Sequence, residues 1–89
     1  MNQAIGDPDQ IRQFAATLNR FAAEWKQQSA NLSAQMNQLE QTWRDAQQRK
    51  FNAEFQDQLR QLQRLIQSTE THVPYLLRKA EQLDEYLRR

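Results

Sequence analysis

Apolar side chains recur along the first half of the chain in alternating steps of four and three: Ile11, Ala15, Leu18, Ala22, Trp25, Ser29, Leu32, Met36, Leu39 and Trp43, with Ser29 the one polar member. That spacing keeps one stripe of a helix turned toward the same partner, so it predicts a first helix over about 8–42. A start signal precedes the series in Gly6-Asp7-Pro8-Asp9-Gln10. Asp7 can accept from the free N–H groups of the first turn, Pro8 is pre-set for the first helical position, and Gln10 stands at capping-box spacing.

A second series, Phe51, Phe55, Leu59, Leu62, Ile66, Thr69, Val73, Leu76, Ala80, Leu83 and Leu87, predicts a second helix over about 47–88. The two series differ in phase. Continuing the first from Trp43 reaches Ala46, Lys50 and Ala53, whereas Phe51 and Phe55 stand one step out of register. This places a chain reversal at about 43–46. The alternative is one uninterrupted helix with a register shift, because Thr42-Trp43-Arg44-Asp45-Ala46 holds neither Gly nor Pro. Such a helix would reach about 100 Å before Pro74, which favours the hairpin. Asp45 has two uses at the reversal: it tolerates a left-handed backbone, or it caps the second helix with Gln48 as its partner.

Pro74 falls inside the second series, where it removes a backbone hydrogen bond and crowds the carbonyl of Glu70. Because Val73, Leu76 and Ala80 stay in phase across it, a helix kinked at Pro74 is expected over a separate third helix beginning near Thr71.

Both stripes are broad. Phe14 and Phe21 flank the first, and Leu65, Leu77 and Tyr86 flank the second, which is more apolar width than two helices cover for one another. The reading is an all-α fold: one domain over 1–89, a two-helix antiparallel hairpin that dimerises into a four-helix bundle. The expected interface is Phe14, Leu18, Phe21, Trp25, Leu32, Leu39, Phe51, Phe55, Leu59, Leu62 and Ile66. The competing reading leaves one flank simply snug within its own hairpin.

Composition narrows the function. With one Gly, two Pro, no Cys, 38% hydrophobic and 26% charged residues, turn-rich folds and thiolate or disulfide chemistry are excluded. Sixteen Gln interleave with the apolar positions and read as solvated helix faces. A formal charge of +1 gathers neither phosphates nor anionic lipid, and no apolar run approaches the ~18 residues of a membrane span, so neither nucleic acid nor membrane is an expected partner. Met1 to Asp7 carry neither the basic region nor the apolar core of a signal peptide.

Candidate chemistry is sparse. His72 is the only His, so triads and paired-His metal sites lack members. Glu54 with Asp57, and Glu81 with Asp84 and Glu85, read as surface pairing partners of Arg and Lys. The only glycine, Gly6, builds no phosphate loop. Arg44, Arg49, Lys50, Arg60 and Arg64 near Phe51 and Phe55 suggest a nucleic-acid surface, but the two rings lie on the stripe facing a partner helix, and Asp45, Glu54 and Asp57 dilute the charge. No enzyme activity, cofactor or metal is expected.

This layout resembles the WXG family of roughly hundred-residue, ESAT-like proteins linked to type VII secretion. The resemblance covers nearly the whole chain. It rests on Asp7-Pro8-Asp9-Gln10, the pattern Ile11, Phe14, Ala15, Leu18 and Phe21, Leu39 followed by Trp43 at the turn, and Ala46, Phe51 and Phe55 leading the second helix. The family's Trp-x-Gly is Trp43-Arg44-Asp45 here, so the turn motif is carried by Trp43 and Asp45 without the glycine. The resemblance implies a hairpin paired with itself or a related hairpin, acting without catalysis as a secreted factor or as the partner of a larger effector. An aromatic residue followed four positions later by an acid, a secretion signature of many relatives, is absent: Tyr75 meets Lys79, and Tyr86 has only Leu87, Arg88 and Arg89 after it. The options are therefore export by a signal-peptide-independent route through a partner, a cytoplasmic relative, or a cytosolic structural coiled-coil scaffold unrelated to secretion.

Overall fold

The computed structural model describes residues 6–88. Helix α1 covers Pro8–Leu39 and helix α2 covers Ala46–Leu87, and no strand occurs among the described residues. The two form the expected antiparallel hairpin, 67 Å long and 16 Å across. Residues 1–5, read above for a targeting segment, lie outside the described residues.

Local chemistry sets the ends of each helix. Asp7 is extended and caps α1, its carboxylate accepting from the Asp9 N–H at 2.9 Å, with Pro8 in the first helical position. The bond serves Asp9 rather than the Gln10 of the expected capping box. Gly6, at φ 117°, enters α1 in a region that disfavours side chains, and a Cβ there would lie 3.3 Å from Leu83 Cδ1.

Helix α1 closes at Leu39, ahead of the expected end near 42. The Leu39 carbonyl accepts from the Trp43 N–H at 2.9 Å, the Thr42 N–H at 3.1 Å and the Thr42 hydroxyl at 3.3 Å. A threonine able to bond back to its own turn competes with helix continuation, which the apolar spacing does not register. Asp45 then opens α2 from an extended conformation, φ −89° and ψ −176°, its carboxylate accepting from the Gln48 N–H at 2.9 Å. Of its two possible uses, capping is the one realised. At φ −89° Asp45 is not left-handed, so the position where the family's motif has glycine does not require one here.

Helix α2 runs through Pro74 unbroken, so no separate third helix begins near Thr71. Pro74 is exposed, and water can satisfy the carbonyl that its missing N–H leaves free.

The seam between the helices is narrower than the sequence series implies. In α1 the buried residues after Pro8 are Ala15, Ala22, Ser29 and Met36, every seventh position, while Leu32 and Leu39 of the same series are exposed. Their counterparts in α2 include Leu59, Ile66, Ala80 and Leu83. The cross-helix bonds Arg12 to Asp84 and Lys26 to Glu70 set an antiparallel register. It brings Ala15, Ala22, Ser29 and Met36 level with Ala80, Val73, Ile66 and Leu59. Small residues in α1 thus meet mostly larger ones in α2, and the single row on the axis between the helices takes nearly all the burial. Ser29 is accommodated because its hydroxyl donates to the Lys26 carbonyl at 3.0 Å. In this register roughly the first ten residues of α2 project past Leu39, about 15 Å of helix flanked only by the connection.

Candidate interaction face

With the row from Ala15 to Met36 turned toward α2, the neighbouring rows of α1 fall on opposite flanks of the hairpin. One flank carries Arg12, Asn19, Lys26, Ser33 and Glu40. Its long side chains reach across: Arg12 donates to Asp84, and Lys26 Nζ lies 2.8 Å from Glu70 Oε2. The hydrogen bond to Asp84 raises the Arg12 pKa above its ordinary value, against the opposing pull of partial desolvation. A groove over the seam on this side is lined by Lys26, Ser29, Ser33, Gln63, Gln67 and Glu70.

The other flank is apolar for nearly the full length of the molecule. From α1 it receives Leu18, Trp25, Leu32 and Leu39, with Phe14 and Phe21 one row further out. From α2 come Phe55, Leu62 and Leu76, with Phe51, Leu65 and Tyr86 one row out. These side chains lack cover: Phe14 is 57% exposed, Phe21 44%, Leu32 46%, Phe51 44%, Leu65 50% and Tyr86 63%. Isolated exposed apolar residues are ordinary on any protein, but a continuous stripe of them marks an interaction surface. The groove on this side is lined by Leu32, Gln35, Met36, Gln38, Leu39 and Phe55.

Aromatic pairs stiffen the stripe. Phe21 and Trp25 pack with ring centroids 4.5 Å apart at 50°. At the turn, Trp43 folds onto Phe51 with centroids 6.0 Å apart, and Phe51 stacks on Phe55 at 5.9 Å and 15°. This three-ring ladder occupies the part of α2 that projects past α1. Trp43 and Asp45 therefore do separate jobs: the acid caps α2, and the indole joins the turn to the apolar stripe.

The residues expected at a dimer interface divide three ways. Leu59 and Ile66 are already buried in the seam, the latter 2% exposed, so a partner has little of them left to cover. Leu18, Trp25, Phe55 and Leu62 are half-buried along the edge of the seam. Phe14, Phe21, Leu32, Leu39 and Phe51 stand exposed on the apolar flank. Phe51 thus faces outward and does not pack into its own partner helix. Leu77, grouped above with Leu65 and Tyr86, lies on the opposite flank, seven residues from both Glu70 and Asp84. Leu65 and Tyr86 were missing from the expected interface, although Phe51, Leu65 and Tyr86 share one row at multiples of seven.

Other chemistry is thin. Among the described residues no group of three or more His, Cys, Asp or Glu is placed to hold a metal ion. Arg60 pairs with Asp57 at 3.4 Å, Arg44 Nε donates to the Glu40 carbonyl at 3.0 Å and the Arg49 guanidinium donates to the Arg44 carbonyl at 3.4 Å, so three members of the central basic group are engaged locally. No described helix is long and apolar enough to cross a membrane.

No curated protein and no solved structure matched the chain. A family model described as proteins of 100 residues with WXG matches residues 5–86. That span takes in both helices, the turn bearing Trp43 and nearly all of the apolar flank, and the chain belongs to the WXG100 family of secretion-associated helical hairpins.

Proposed function

We propose that this protein is a non-enzymatic interaction protein of a type VII-like secretion route, working as a secreted factor or as the adaptor of a larger effector. Its working part is the apolar flank, which docks a related helical hairpin to complete a four-helix bundle. The observation that carries the reading is the asymmetry of the hairpin: charged cross-helix pairs seal one side, and the other leaves Phe14, Phe21, Leu32, Phe51, Leu65 and Tyr86 open to water along its length. Recognition through such a flank needs shape and apolar area, with no reacting group. Membership of the WXG100 family supports the link to secretion.

Export is the test. A tagged chain is followed in the culture medium of its native host, with and without the FtsK/SpoIIIE-like ATPase that drives such routes. Appearance in the medium only when the ATPase is present is the expected result. Retention inside the cell in both strains would overturn the secretion role and favour a cytosolic coiled-coil scaffold.

A further inference from the structure

We propose that α2 is jointed at residues 68–74, so that its terminal arm, 75–87, opens from α1 as a unit while the rest of the hairpin keeps its fold. The inference goes beyond the docking role and does not depend on it. The first argument is the backbone. Pro74 has no N–H, so the Glu70 carbonyl loses its helical donor, and the proline ring crowds the same turn. Just before it, the Thr69 hydroxyl donates to the Leu65 carbonyl at 2.9 Å and the Thr71 hydroxyl to the Ser68 carbonyl at 2.7 Å. Hydroxyls that bond back to their own turn weaken and bend a helix. Thr69, Thr71 and Val73 are also β-branched, and Ser68 and His72 extend this run of low helix propensity. Pro8, the only other proline, stands at a helix start where no donor is lost.

The second argument is packing. Helix α2 buries Leu59 and Ile66 on one side of the joint and Ala80 and Leu83 on the other, and none of residues 67–79 is buried. The buried residue of α1 at that level is Ala22, whose single methyl group offers little area to bury. Beyond the joint the arm has attachments of its own. Leu83 packs at the entry to α1, where a Cβ on Gly6 would lie 3.3 Å from its Cδ1, and Asp84 accepts from Arg12. On the near side Lys26 holds Glu70 at 2.8 Å. The two parts of α2 are thus fastened to α1 separately, with weak backbone between them. Opening the arm uncovers few buried residues, chiefly Pro8, Ala15, Ala80 and Leu83. A unit so lightly buried opens at lower cost than the whole chain, and the turn end with Trp43, Phe51 and Phe55 keeps its shape when it does.

The test is residue-resolved amide hydrogen exchange of the full chain, at one fixed chain concentration and along a urea series below the unfolding transition. Amides of 78–83 should share one opening constant, exchange at least about tenfold faster than those of 59–66 relative to their unstructured rates, and depend less steeply on urea because less surface is exposed. Leu59→Ala weakens the part before the joint, so it should speed exchange at 59–66 at least about tenfold and leave 78–83 within about twofold of the parent. Pro74→Ala should slow exchange at 78–83 at least about tenfold. If Leu59→Ala speeds both regions equally, the arm opens only with the whole chain and the proposal falls. A steady gradient of exchange from Leu87 inward is fraying from the end, and it too overturns the joint. Exchange at 78–83 that is no slower in Pro74→Ala overturns the placing of the joint at the proline. Should Leu59→Ala fail to fold, the urea series on the parent decides, since equal slopes for 59–66 and 78–83 overturn the separate opening.

Discussion

Ala22 is 1% exposed in the middle of the seam, level with the β-branched Val73, so its small size sets how closely the helices approach. Replacing it with Leu adds three carbons where no space is left. Leu and Ala differ by only a few tenths of a kcal/mol in helix propensity, so the intrinsic cost to α1 is slight. Inserting that volume into a packed seam costs about 1–3 kcal/mol, because the helices must separate or neighbouring side chains must leave their rotamers. Ala23, the next residue, is exposed and serves as the control, where the same substitution meets only water. Urea denaturation followed by circular dichroism, at one fixed chain concentration so that any self-association cancels, should show Ala22→Leu destabilised by that amount and Ala23→Leu within about 0.5 kcal/mol of the parent. For a domain of this size the Tm should fall by about 4–8 °C per kcal/mol. An Ala22→Leu chain as stable as the parent, or more so, would refute the close-packed seam and with it the reason the large residues lie on the flank.

Two further substitutions test the backbone devices. Asp45→Gly restores the family's Trp-x-Gly, yet Asp45 sits at φ −89° and caps α2, so thermal unfolding should show a loss of a few tenths of a kcal/mol; a gain would mean the turn favours the left-handed region after all. Pro74→Ala returns an N–H to the Glu70 carbonyl at an exposed site, and urea titration should show a gain of up to about 3 kcal/mol; a loss would mean that the seam near Val73 and Leu76 requires the geometry the proline imposes.

The hydrophobic pattern contained the two helices, the reversal between them and the capping role open to Asp45. Those are local properties: spacing of three and four, a proline at a helix start, an acid three residues before Gln48. Helix α1 stops short of the pattern because the Thr42 backbone and hydroxyl both bond to the Leu39 carbonyl, and a threonine in a long apolar series does not announce which way it will bond.

What spacing leaves open is rotation about the helix axis. A series in steps of four and three contains two rows, and either can face the partner. Only packing α1 against α2 decided that Ala15, Ala22, Ser29 and Met36 take the seam and that Leu32 and Leu39 are pushed to its edge. The reason is close approach: with small residues on the axis the helices come together more tightly than two facing rows of Leu and Trp would allow. That one rotation also sorted the flanks. It put Lys26 within reach of Glu70, sent Leu77 to the charged side, and gathered Phe14, Phe21, Phe51, Leu65 and Tyr86 on the other. Sequence alone determined that this chain is a helical hairpin with more apolar surface than it can bury; tertiary packing decided which side keeps the surplus, because a side chain's face is defined only once its helix has a neighbour.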